Sequence, residues 1–268
     1  MRVVLIVFVA LLVWGCKSES DRNSRRSGDM DTVATRQNER SYEEMDRSSE
    51  IDIEPISHAT AVISWGDIKI FLDPTGGASA FEGKDSADFV LVTDIHGDHM
   101  DNATLRELEL NEVPIIVPQA VKDELPEDLH QSLVVLANGE THTQNGIEIE
   151  AIPMYNLREE ALQFHEKGRG NGYVLEKDGI RVYIAGDTED IPEMRQLTDI
   201  DIALVPMNLP YTMTVERAAD AVIEFSPDRV IPYHYRGTDG FSDVERFEEL
   251  VNQGNPEVEV VLLEWYPD

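Results

Sequence analysis

The chain has 268 residues, 41% of them hydrophobic, enough for one large domain or two small ones. Its 53 acidic residues against 22 Lys and Arg give a formal charge of −31, which argues against nucleic acid and anionic membrane surfaces as partners because phosphates would be repelled. Cys16 is the single cysteine, so an intrachain disulfide and a thiolate metal centre are both ruled out.

At the amino terminus, residues 3–14 are almost wholly apolar behind Arg2. The run is too short to span a bilayer, which takes about 20 residues, and suits the apolar core of a secretory signal. Val13-Trp14-Gly15-Cys16 follows and resembles a bacterial lipobox. Residues 1–16 are therefore expected to form a signal peptide ending in a lipobox, the alternative being an ordinary secretion signal with an incidental cysteine. Acyl chains on Cys16 would anchor the protein, each buried methylene adding about 0.8 kcal/mol. Residues 17–50 are polar and aperiodic, and their Arg residues nearly balance their acids. They read as a disordered tether, and the excess negative charge belongs to residues 51–268. The expected location is outside the cytoplasm, lipid-anchored to a bacterial membrane on the periplasmic or cell-surface side.

In the folded part, 51–56, 59–65 and 68–72 alternate like strands, with Gly66-Asp67 as a hairpin turn between the last two. His58-Ala59 opens the second strand, and Asp73-Pro74 breaks the pattern after the third. Residues 89–92 form a short buried strand. It runs into Thr93-Asp94-Ile95-His96-Gly97-Asp98-His99. A strand sends successive side chains to opposite faces and cannot gather His96, Asp98 and His99. A turn at Gly97 can. Imidazole and carboxylate together suit zinc, manganese or iron.

Asp101 or Asn102 can cap a helix over 103–110. Strand 114–117, helix 119–124, loop 126–130 and strand 133–136 follow. His142 is expected in a solvated polar turn before strand 147–152. Residues 154–172 are irregular and contain Asn156 and His165. A hairpin of 173–176 with 180–185 ends in Gly186-Asp187-Thr188. Strand 201–206 leads to Tyr211; Thr214 caps a helix reaching 225; strand 227–232 runs into Tyr233-His234-Tyr235-Arg236. Helix 242–251 and strand 258–264 close the chain. Strands alternating with helices and hairpins point to a layered α/β domain.

Thr93, His96, Asp98 and His99 match the His-x-His-x-Asp-His motif of the metallo-β-lactamase fold superfamily, with Asp94 where the first His stands. His58-Ala59 and Asp73-Pro74 resemble the opening of its lactonase-like branch, that of the ascorbate-6-phosphate lactonase-like enzymes. Gly186-Asp187-Thr188 resembles the family turn whose Asp bridges two metals. The resemblance implies a four-layer αββα sandwich of the metallo-β-lactamase type. It implies one metal on Asp94, His96 and His165, a second on Asp98, His99 and His234, and Asp187 between them. The family generally carries a His near position 156, where this chain has Asn156. Residues 154–164 are read as an insertion or rerouted loop that delivers His165, and which of the two fills the third ligand position stays open. By the same resemblance His58 lies near the centre. Tyr211, Tyr235 and Arg236 are candidate substrate contacts, and Lys167, Arg169 and Arg236 could meet a phosphate.

The implied cofactors are two divalent ions, zinc first, with manganese or iron favoured somewhat by the harder Asp94 carboxylate. The implied activity is that of a metal-dependent hydrolase: a metal-bridging hydroxide, oriented by Asp98, which accepts its proton, cleaves an ester, lactone or phosphodiester bond in a small-molecule or lipid-like substrate. The alternative is a non-catalytic, lipid-anchored metal-binding or accessory protein on the same scaffold.

Overall fold

Residues 50–110 and 112–267 are described by the computed structural model. The expected signal peptide with its lipobox (1–16) and the tether up to residue 49 lie outside them. Among the described residues no helix is long and apolar enough to cross a membrane.

Six strands build the first sheet: β1 (Ile51–Ser57), β2 (Thr60–Trp65), β3 (Ile68–Leu72), β4 (Phe89–Leu91), β5 (Ile115–Val117) and β6 (Leu133–Val135), side by side in chain order. The first three are antiparallel, joined by tight turns in which Gly66 takes the left-handed conformation (φ 57°) that glycine adopts without strain. From β3 onward the pairing is parallel, with α1 (Asn102–Glu107) and α2 (Gln119–Glu124) as crossovers. The second sheet continues with β7 (Thr141–Gln144), β8 (Ile147–Met154), β9 (Gly170–Lys177), β10 (Ile180–Ile184), β11 (Ile202–Pro206) and β12 (Arg229–Tyr233). After a small hairpin of β13 (Arg236–Gly237) and β14 (Gly240–Phe241) it ends with β15 (Glu259–Val260), in the order β15-β12-β11-β10-β9-β8-β7. Outside it lie α3 (Pro192–Arg195), α4 (Val215–Phe225) and α5 (Val244–Gly254).

Three apolar cores account for the layering. Between the sheets, Ile63, Leu72 and Leu91 of the first meet Ile149, Val182 and Leu204 of the second, all with no exposed surface. On the far side of the first sheet Leu105 and Val121 pack on Phe71 and Val90. On the far side of the second, Val222 and Phe247 pack on Tyr183 and Val205. Each such buried side chain contributes about 1.5–3 kcal/mol. The α/β, four-layer αββα sandwich is the observed architecture.

Some boundaries differ from the sequence reading. The helix expected over 103–110 stops at Glu107, and 126–130 winds into a 3-10 turn within Glu127–Ser132. His142 sits on β7 rather than in a turn, because the reversal falls at Asn145-Gly146, both with positive φ. The last strand is short. Beyond Val260 the chain leaves the sheet so that Trp265 and Tyr266 fold back over His58, whose N–H donates to the Trp265 carbonyl.

Candidate metal centre

The loops that follow β4, β8, β10 and β12 meet at one end of the sandwich. After β4 the backbone wraps Gly97 in a turn: the N–H groups of His99 and Met100 both donate to the His96 carbonyl, at 3.0 and 2.9 Å. The root of that turn is pinned by Asp73, the residue just past β3. Its buried carboxylate accepts from Thr93 N (2.7 Å), from Thr93 Oγ1 (2.7 Å) and from His99 Nδ1 (2.8 Å). Burial pushes the Asp73 carboxyl up, and the donors converging on it oppose that rise. With its Nδ1 proton committed to Asp73, a neutral His99 would turn a bare Nε2 to an ion.

Around that nitrogen stand three further groups. His99 Nε2 lies 3.1 Å from His234 Nε2 and 3.4 Å from Asp187 Oδ2. His234 Nε2 lies 3.4 Å from Asp187 Oδ1 and 3.3 Å from Asp98 Oδ2. Ligand atoms about 2.1 Å from a common ion stand about 3–3.5 Å apart, the edge length of an octahedron or tetrahedron of that radius. The spacings among His99, Asp187 and His234 fall in that interval, while Asp98 Oδ1 stands further from His99 Nε2, at 3.9 Å. The Asn208 amide lies 2.8 Å from His234 Nδ1. In the structure the amide NH2 faces the ring and Oδ1 accepts from Thr212 Oγ1; with the amide reversed, its oxygen would accept from an Nδ1–H and leave Nε2 bare.

Asp187 tests the fit. It is buried, and its Oδ1 has no hydrogen-bond partner. An orphaned carboxylate oxygen in the interior costs several kcal/mol unless a cation meets it. Burial alone would raise its pKa, but the imidazoles of His234, His99 and His165 outweigh this and hold it well below the usual carboxylate range. The same carboxylate, with Asp73, keeps His99 well above the ordinary imidazole value despite burial. The donor set suits a divalent ion.

A second group adjoins it. His165 Nε2 is 3.1 Å from Asp187 Oδ2 and 3.9 Å from Asp94 Oδ2, and His96 Nδ1 is 2.8 Å from that Asp94 oxygen. Asp94 is fully buried and also bonded by both arms of Arg169: Nε to Oδ1 at 3.1 Å and Nη2 to Oδ2 at 2.8 Å. Burial raises the Asp94 pKa, yet hydrogen bonds from His96 and Arg169 bring it below its ordinary value. The loop between β8 and β9 delivers His165 to this group. Asn156 shapes that loop: its Nδ2 donates to the Ala161 and Tyr211 carbonyls, and its Oδ1 faces His165 Nδ1 at 3.3 Å. Of the two residues left open by the sequence, His165 faces the cluster and Asn156 orients it. Arg158 staples the loop down, from Nε to Glu189 (2.8 Å) and from Nη2 to the Pro210 and Thr212 carbonyls.

His58 lies closer in than a strand-edge histidine need be. Its backbone is left-handed (φ 60°), and its ring lies tilted by 42° against His234, at 3.9 Å between centroids. Its Nδ1 meets Tyr266 Oη at 2.7 Å and its Nε2 lies 3.3 Å from Asp98 Oδ2. Among the described residues, His58–Asp98–His234, Asp94–His96–His165 and His99–Asp187–His234 are the groups able to hold a metal ion. A cavity of about 420 Å³ opens over them, walled by Phe164, Tyr211 and Arg236. Tyr235 stands outside that lining and packs on Tyr266 and Phe241. Lys167 is tied to Glu193 at 2.6 Å and Arg169 to Asp94, which leaves Arg236 as the cation of the cavity wall.

The sequence reading assigned no role at the centre to Asp73, Asn208, Tyr266 or Arg158. Asp73-Pro74 was visible as a break after a strand, and its carboxylate there is the one local signal. The other three lie far along the chain from the histidines or loops they hold.

A Beta-lactamase superfamily domain matches residues 52–234. The chain is 30% identical over 207 residues to the UPF0173 metal-dependent hydrolase of Thermococcus onnurineus, an alignment covering 74% of this chain and 90% of that protein. A crystal structure from Parabacteroides distasonis, assigned as a metal-dependent hydrolase, is 36% identical with a TM-score of 0.71 and covers 81% of this chain and 94% of its own. A metallo hydrolase of Ignicoccus hospitalis shares the fold at 23% identity and TM-score 0.67, over 80% of this chain and 95% of its own.

Proposed function

The chain belongs to the β-lactamase superfamily and, within it, to the UPF0173 metal-dependent hydrolases, and from that premise we propose that it hydrolyses an ester, lactone or phosphodiester bond in a small anionic substrate at two divalent cations. The observation that carries this reading is Asp187: one buried carboxylate has the Nε2 atoms of His165, His99 and His234 within 3.1–3.4 Å. Asp94, His96 and His165 would hold one ion; Asp98, His99 and His234 would hold the other, with Asp187 shared. Of zinc, iron and manganese, zinc stands highest in the order of affinity, with manganese or iron as alternatives. Ions bound there would lower the pKa of a water between them towards 7 and polarise the oxygen of the scissile bond.

The remaining work falls to the chain itself. Asp98 is the least buried carboxylate of the centre, and it is aimed at the cavity. Burial pushes its pKa up, but hydrogen bonds from His234 and His58 hold it well below the carboxylate range, so it is ionised and would orient the attacking water through its carboxylate oxygens. His58 is kept neutral chiefly by burial and, fixed by Tyr266, orients Asp98. Arg236 would meet an anionic group of the substrate, and Phe164 with Tyr211, edge to face at 5.1 Å, would flank its apolar part. We place the protein outside the cytoplasm, tethered by residues 17–50 to an acylated Cys16, on the strength of the apolar run and lipobox-like residues ahead of it.

The test is metal content by plasma emission together with hydrolysis of a panel of lactones, carboxyl esters and phosphodiesters. Wild-type protein should bind two ions and cleave one of these classes, and Asp187→Ala should lose both properties. Metal-loaded wild type that is inert on the whole panel would favour a non-catalytic, metal-binding accessory protein instead.

A further inference from the structure

The two cation positions are built from different materials, and Arg169 is the difference. Among the described residues, no Lys or Arg side chain bonds any of the facing atoms at the Asp98, His99, Asp187 and His234 position. At the other position both oxygens of Asp94 are already taken by the Arg169 guanidinium, Oδ1 by Nε at 3.1 Å and Oδ2 by Nη2 at 2.8 Å. That Oδ2 is the oxygen facing His96 Nδ1 and His165 Nε2. An ion about 2.1 Å from it would sit at most about 5 Å from Nη2. Guanidinium cannot shed its proton to make room. Nor is it free to swing away: Nη2 also donates to the Phe164 carbonyl, next to His165, and Arg169 is largely buried. Asp94 and Arg169 together carry no net charge, so the pair presents to an ion what a neutral imidazole would, with a fixed positive charge behind it.

We propose that the two positions are therefore unequal and fill in sequence, with Arg169 as the residue that weakens the Asp94, His96 and His165 position; the inference rests on the two-cation reading above. At limiting metal the chain holds one ion, at the His99 and His234 position, and the second enters only at higher concentration.

Metal-free full-length protein titrated with zinc by calorimetry, with bound metal counted by plasma emission, tests this directly. Wild type should show two steps at least 100-fold apart. In Arg169→Gln the second step should tighten at least tenfold with the first unchanged, and Arg169→Lys, which keeps the cation, should leave the gap within threefold. Asp94→His should weaken the second step at least tenfold, because Arg169 is then unopposed, and adding Arg169→Gln should restore most of it. Two equal steps in wild type would overturn the proposal. So would a second step that Arg169→Gln weakens in both backgrounds, which is what a mere brace for the loop predicts. Absence of any metal binding by folded wild type would remove the two-cation reading and this inference with it, whereas two equal steps would remove this inference alone.

Discussion

Asp73→Asn changes one atom's chemistry and almost no volume, which makes it the sharpest probe of how the centre is held. Asp73 is buried with a left-handed backbone (φ 43°), a conformation Asn also tolerates, so the exchange adds no backbone strain. The carboxylate serves three donors: Thr93 N on Oδ1, and Thr93 Oγ1 with His99 Nδ1 on Oδ2. An amide has one acceptor oxygen, and the Thr93 backbone N–H, which cannot turn, claims it. The NH2 group must then occupy the Oδ2 position and donate to His99 Nδ1. That forces the proton of a neutral His99 onto Nε2, the atom that faces His234 and Asp187. Loss of such an outer partner costs about 10–100-fold in metal affinity, which is about 1.4–2.7 kcal/mol at 1.36 kcal/mol per decade. Competition against a colorimetric zinc chelator measures it. The first, tighter binding step should weaken by that factor and the second by much less. A first step within threefold of wild type would refute the idea that Asp73 sets the His99 tautomer.

Two further outcomes follow from the same geometry. Without metal, the raised pKa of His99 stabilises the fold fully below the ordinary imidazole value of about 6.5, and that contribution is lost as pH climbs through the raised value. His58, depressed chiefly by burial, works on the other side, costing stability as pH falls below about 6.5. Melting of chelator-treated protein should therefore peak near pH 6.5 and fall as pH climbs through the raised value of His99, while metal-loaded protein, whose ions need bare imidazoles, should gain over the same rise; a metal-free melting temperature that climbs above pH 6.5 would contradict the charged His99. Gly172→Ala should destabilise by about 1–3 kcal/mol in urea unfolding, because a Cβ there would meet the Ala185 and Ile184 carbonyls at 2.7 and 2.8 Å, and backbone on the neighbouring strand cannot yield as a side chain can. A loss below 0.5 kcal/mol, on the order of a surface substitution, would show that β9 and β10 can part freely beneath Asp187.

Local pattern in the chain was enough to find most of the strands, because alternation and turn residues act over a few positions; β7 and the β13–β14 hairpin escaped it. It was enough, too, to find Thr93 to His99, Asp187 and His234 as polar groups at the ends of buried strands. The layered class followed from the same alternation, and α2 and α4 fall where their periodicity and flanking residues put them. Long-range partners left no such trace. His99 and His234, 135 positions apart, meet only because two sheets pack face to face. Tyr266 reaches His58 across 208 positions because the chain leaves the second sheet after β15. The sequence could name Asp94 as a departure from the expected ligand and Arg169 as a charge. Only the folded chain puts one on the other, since an ion pair across 75 positions depends on how the β8–β9 loop closes over the β4 loop and not on any residue between them.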